Sequence, residues 1–121
     1  MSEGATAKHV MVIDESLVSR MIMRDIILIE YPDWEFIHAA SIEKAFESCW
    51  ELQFDYIFID AVTSNVSDAE IISDILDGQK RVKVALMANQ VPQHLQKKVE
   101  KHQLEIISKP VNSDDLINFI S

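Results

Sequence analysis

The chain has 121 residues, 48% hydrophobic and 26% charged, which is one globular domain's worth and leaves no room for a second core. Its net charge of −9, from 20 acidic against 11 basic side chains, argues against nucleic acid as the direct ligand, because a phosphate backbone would be repelled over most of the surface. No stretch approaches the roughly 18 consecutive apolar residues of a membrane span, and a single cysteine, Cys49, rules out an internal disulfide.

Met1 to Ala7 has neither the basic nor the apolar region of a secretory signal. It reads as a disordered or tag-like lead to a single domain over 8–121, and a cytoplasmic location is expected. A first strand near Lys8 to Ile13 is followed by a helix over Ser16 to Tyr31, with Val18, Ile22, Ile26 and Ile29 as its core stripe and Pro32 as its stop. Trp34 to Ala39 reads as a second strand, and Ser41 can cap a helix running to about Glu51. On that helix Cys49, with Ile42, Ala45 and Phe46 at helical spacing, reads as a small buried hydrophobe. Tyr56 to Ile59 is a third strand. Ser67 to Glu70 spells S-D-A-E, a capping box that opens a third helix, which Gly78 closes. Arg81 to Met87 is a fourth strand, Pro92 opens a fourth helix anchored by Leu95 and Val99, Leu104 to Ile107 is a fifth strand, and Asn112 or Ser113 with Asp114 and Asp115 opens a last helix.

Short apolar runs alternating with helical patterns are the mark of a βαβ architecture. Most of the strands are apolar on both faces, as suits a parallel sheet covered by helices on either side. The ends of four runs carry the chemistry: Val10 to Ile13 leads into Asp14 and Glu15, Tyr56 to Ile59 into Asp60, Val84 to Met87 into Asn89, and Leu104 to Ile107 into Ser108, Lys109 and Pro110. If these are parallel strands of one sheet, three carboxylates and an ammonium converge on one edge. Gly4 and Gly78 are the only glycines. A Walker loop, a dinucleotide fingerprint and a nucleophile elbow each need glycines at spacings that this chain lacks. His9, His38, His94 and His102 have no metal-ligand spacing, and Asn65-Val66-Ser67, though it matches a glycosylation acceptor, carries no weight without a secretory signal.

Asp14-Glu15 after the first strand, Asp60 after the third and Lys109-Pro110 after the fifth, together with the opening V-M-V-I-D-E-S-L-V-S-R of Val10 to Arg20, resemble the receiver domain of two-component response regulators. The similarity extends from Lys8 to Ile120. It implies a flavodoxin-like, doubly wound α/β fold, with a five-stranded parallel sheet in the order 2-1-3-4-5 and helices on both faces. It also implies that Asp60 accepts a phosphoryl group from a histidine kinase or phosphotransfer protein. Mg2+ would then be held by Asp14, Glu15, Asp60 and the main-chain carbonyl of Val62, and Lys109 would meet the incoming phosphoryl oxygens. Such a domain is a phosphoacceptor rather than an enzyme, capable at most of slow self-phosphorylation from small donors and of self-dephosphorylation.

Three positions depart from the family pattern. Glu15 stands where a second aspartate is usual and is one methylene longer. Met87 stands where a Ser or Thr hydroxyl normally bonds the phosphate, and a thioether cannot donate that bond. Asn89, two residues on, is the nearest amide that could replace it. Ile106 stands where a Tyr or Phe usually swings inward. The loop from Ala61 also lacks the family's Met-Pro and Asp-Gly elements.

Two readings follow. The first is a phospho-accepting receiver with unconventional output, through the first helix or the loop at Thr63 to Val66. The second is a degenerate receiver kept as a phosphorylation-independent interaction module. A metal-dependent phosphatase or a flavin-binding relative is opposed by the missing glycines and the lack of a second acidic cluster. The first helix is apolar beyond one stripe, with Leu17, Met21 and Leu28 on one flank and Met23 and Ile27 on the other. That excess points to a downstream protein target or a homodimer.

Overall fold

The computed structural model describes residues 7–49, 52–62, 73–74, 77–78 and 81–121. In chain order the elements are β1 (His9–Ile13), α1 (Leu17–Glu30), β2 (Glu35–Ala39), α2 (Ile42–Cys49), β3 (Tyr56–Asp60), β4 (Lys83–Met87), α3 (Gln93–His102), β5 (Glu105–Ile107) and α4 (Ser113–Ile120). In the β3–β4 crossover Ser73, Asp74, Asp77 and Gly78 are helical. All strand pairs are parallel, and the sheet runs β2-β1-β3-β4-β5 as expected.

Side chains alternate across each strand, so one run of sequence supplies two cores. Met11, Ile13, Ile57, Ile59, Val84 and Leu86 face one layer with Ile42 and Ala45 of α2 and Leu95 of α3. Val10, Val12, Tyr56, Phe58, Ala85, Met87 and Ile107 face the other with Met23 and Ile27 of α1 and Leu116, Phe119 and Ile120 of α4. Burial on both sides explains why β1, β3 and β4 are almost unbroken apolar runs, while the edge strands β2 and β5 stay partly exposed. Trp34 is a packing residue: its ring stacks on Tyr31 at 4.1 Å and on Tyr56 at 5.6 Å between centroids.

The caps are local chemistry. Ser16 accepts from the Ser19 N–H at the start of α1, Ser41 from Lys44 ahead of α2, and Asn112 from Asp115 ahead of α4. Pro92 is the N-cap of α3 rather than its first helical residue, and Gln103 ends that helix in the left-handed region at φ 53°, with its N–H on Val99 O.

The expected core stripe of α1 is overturned. The core stripe of α1 is Met23 and Ile27, at 2% and 0% exposure, whereas Val18, Ile22 and Ile29 are exposed and Ile26 is only partly buried. A helix apolar nearly all round does not announce its phase, and here packing against Val10, Val12 and Phe58 sets it. Gly78 is itself helical, and the residues that would show whether it closes that helix, 79–80, lie outside the described ones. Strand starts at Glu35, Lys83 and Glu105 fall one or two residues inside the expected ones. The S-D-A-E box at 67–70, the loop at 63–66, Asn65-Val66-Ser67, Trp50 and most of the N-terminal lead lie outside the described residues. No helix among the described residues is long and apolar enough to cross a membrane.

Candidate functional site

The site is a continuation of one core layer past the end of its helical cover. Val10, Val12 and Asp14 follow one another at strand spacing, as do Tyr56, Phe58 and Asp60, and as do Ile107 and Lys109. The apolar members of each row pack against α1 and α4, and the polar member stands at the C-terminal rim of the sheet. There the Lys109 ammonium donates to Asp14 Oδ2 at 2.9 Å and to Asp60 Oδ1 at 3.2 Å. Residues 49 and 95 positions apart in the chain thus meet around one cation.

Both carboxylates are almost fully buried, Asp14 at 1% and Asp60 at 4% exposure, while the Lys109 side chain keeps about a quarter of its surface in solvent, at 27%. Burial pushes the Lys109 pKa down, but hydrogen bonds to Asp14 and Asp60 and the charges behind them outweigh it, and the net shift is upward. Buried carboxylates hold their charge only with such compensation.

The β1–α1 loop explains the placing of Asp14. Its Oδ1 accepts the Ser16 N–H at 2.9 Å, an Asx turn, and Ser16 then caps α1, so the pattern Asp-Glu-Ser both turns the chain and starts the helix. The Asp14 N–H extends the ladder by donating to Ala39 O at 3.1 Å, and Arg20 Nη1 donates to Asp14 O at 2.6 Å. On the far side, the Lys109 N–H donates to Asn89 Oδ1 at 3.2 Å.

Of the residues singled out in the sequence, the structure brings Asp14, Asp60 and Lys109 together. Glu15, one residue past Asp14, is exposed, as is Val62, at 81%. Met87 pairs with Asp60 in the β3–β4 register and is fully buried, and Ile106 is 41% exposed on edge strand β5. Asn89 is tied to the main chain of Lys109. The contact of Arg20 with Asp14 O was not foreseen; the one available signal was a basic residue early in a strongly apolar helix.

Asp14 and Asp60 are a donor set that suits Mg2+, a hard cation that uses one or two carboxylates and keeps several waters. Among the described residues, no three His, Cys, Asp or Glu side chains form a metal cage. A hollow of about 110 Å3 lies beside the ion pair, lined by Ile22, Met23, Met87, Pro110 and Val111. That is well below the roughly 300–1,000 Å3 of ordinary ligand pockets.

No family model and no curated protein matches the chain. Solved structures do match it. A response regulator from Burkholderia pseudomallei, in a structure with a phosphorylated aspartic acid, a calcium ion and citrate, is 17% identical with a TM-score of 0.74, over 94% of this chain and 66% of that one. The chain therefore spans just under two thirds of that protein's length. A response regulator from Thermotoga maritima is 23% identical with a TM-score of 0.75, over 95% of both chains. The Saccharomyces cerevisiae receiver domain of Ssk1, solved with the histidine phosphotransfer signaling protein Ypd1, is 18% identical with a TM-score of 0.68, over 91% of this chain and 83% of that one. The fold is that of CheY-like response regulator receiver domains.

Proposed function

We propose that this chain is a phospho-accepting receiver domain of a two-component system, with Asp60 as the acceptor. The observation that carries the reading is the Lys109 ammonium held at 2.9 Å from Asp14 and 3.2 Å from Asp60 at the rim of the sheet. In the step itself a carboxylate oxygen of Asp60 bonds to the phosphorus of a phosphohistidine, the phosphorus–nitrogen bond breaks, and the imidazole leaves with the electron pair. A carboxylate meets a dianionic phosphoryl group only where positive charge offsets the repulsion, and the Lys109 ammonium would neutralise the transferring oxygens. Asp14, Asp60, Glu15 and the Val62 carbonyl would hold a Mg2+, which when bound supplies further positive charge.

The donor is a histidine kinase or phosphotransfer protein, in line with the Ypd1 complex of the Ssk1 receiver. The site of action is the cytoplasm, where the modified chain passes its signal to a protein target. The experiment is mass spectrometry after incubation with acetyl phosphate and Mg2+. One added phosphoryl group, lost in Asp60→Asn, is the expected result.

A second reading is favoured by the methionine at position 87, because the thioether opposite Asp60 cannot donate a hydrogen bond. On that reading the chain is a phosphorylation-independent interaction module. Absence of an adduct with every small donor and with a phosphorylated phosphotransfer protein would select it.

A further inference from the structure

We propose, building on the phosphoacceptor reading, that Asn89 is a positioning residue: its side-chain carbonyl anchors the main chain of Lys109 so that the ammonium reaches Asp14 and Asp60 together. The Lys109 N–H donates to Asn89 Oδ1 at 3.2 Å, and an amide nitrogen could not accept that bond, so the contact itself orients the Asn89 side chain.

The need for an anchor lies in how little else holds this stretch. β5 has three residues, of which Glu105 and Ile106 are exposed, and its pairing with β4 ends at Met87 and Ile107. One further main-chain bond, Ala88 N to Ile107 O at 2.9 Å, closes the ladder. Lys109 lies beyond it, and the Asn89 amide is the next tie between the β4 and β5 ends. A lysine stem has four rotatable carbons, so where its main chain is fixed governs where the ammonium rests. Displacements of about 1 Å in such a site cost on the order of a hundredfold in rate. Asn89, two residues past the end of β4, thus links that strand end to the main chain that carries the ammonium.

The test uses Asn89→Ala, which removes the acceptor, and Asn89→Asp, which keeps an oxygen in the same place. Hydrogen exchange at the Lys109 amide, followed by NMR, reads the contact directly. The initial rate of Asp60 phosphorylation by acetyl phosphate with Mg2+ reads its role. Exchange is expected to quicken about fivefold to tenfold in Asn89→Ala, as for the loss of one hydrogen bond, and to return to the wild-type rate in Asn89→Asp. Phosphorylation of Asn89→Ala is expected to slow by a similar factor, with a melting temperature lower by only a few degrees. Wild-type exchange in Asn89→Ala, failure of Asn89→Asp to restore protection, or an unaltered phosphorylation rate in Asn89→Ala each overturns the role of Asn89 alone. A wild-type chain that takes no phosphoryl group overturns the phosphoacceptor reading and this role with it.

Discussion

Met87 stands directly opposite Asp60 in the β3–β4 register, and its side chain is wholly buried against α1 and α4. The position next to Asp60 is therefore filled by packing rather than by a hydrogen-bond donor. Replacing it by a hydroxyl residue carries two costs of the same sign. Met87→Thr removes apolar volume from the α1–α4 layer and buries a hydroxyl, which is expected to destabilise the fold by about 2 kcal/mol or more. Urea unfolding would register this as a lower midpoint at unchanged slope.

Lys109 and Asp60 are not equivalent partners. Lys109→Met leaves Asp14 and Asp60 buried without the ammonium they share. It is expected to cost about 3 kcal/mol, at the lower end for a broken buried pair because Lys109 keeps some contact with water. In Asp60→Asn the ammonium keeps Asp14, and the expected change is within about 1 kcal/mol. Denaturation of the two variants side by side checks the order; a larger loss in Asp60→Asn would contradict the placing of Lys109 as the shared cation.

On α1, Ile27 is fully buried and Ile29, two residues later, is 79% exposed. Ile27→Ala is expected to cost about 2–4 kcal/mol and Ile29→Ala less than about 0.5 kcal/mol. Equal losses would mean that the helix is rotated from the phase described above.

The Tyr56 hydroxyl donates to Ile120 O at 2.8 Å. Burial pushes its pKa up, and Asp55 and Tyr31 add to the shift. A raised folded pKa means that the phenol's contribution is complete below its ordinary value of about 10 and is lost as pH rises through the folded value. Stability should therefore hold through neutral pH and fall above about pH 10. Tyr56→Phe should blunt that fall while costing about 1 kcal/mol at pH 7 for the orphaned carbonyl. Lys109, also shifted upward, acts in the same window with the same sign, so the variant should retain part of the alkaline loss. Denaturant midpoints measured from pH 7 to 11 would check this.

The strand order and the meeting of Asp14, Asp60 and Lys109 were legible because strands buried on both faces leave continuous apolar runs, and the polar residue that ends each run must sit at the sheet's rim. The phase of α1 was not. With Val18, Ile22, Met23, Ile26, Ile27 and Ile29 all apolar, no face of that helix stands out by composition, and shape complementarity against Val10, Val12 and Phe58 selects Met23 and Ile27. Nor could the ties from Arg20 to Asp14 O and from Lys109 N to Asn89 be read, since each uses a main-chain group that every residue possesses. The hollow beside the ion pair likewise comes from how Ile22, Met87 and Pro110 approach one another in space, which no linear spacing encodes.

The last helical turn is fastened to the opposite pole of the molecule. Tyr56 and Lys83, the first residues of β3 and β4, bond to Ile120 O and Phe119 O at 2.8 Å each, while Asp60 ends β3 at the other pole. Four strand steps of about 3.3 Å put roughly 13 Å between the two levels. A fluorophore or affinity handle carried beside Ser121 would therefore sit on the side of the domain away from Asp60, at the pole opposite the carboxylate rim.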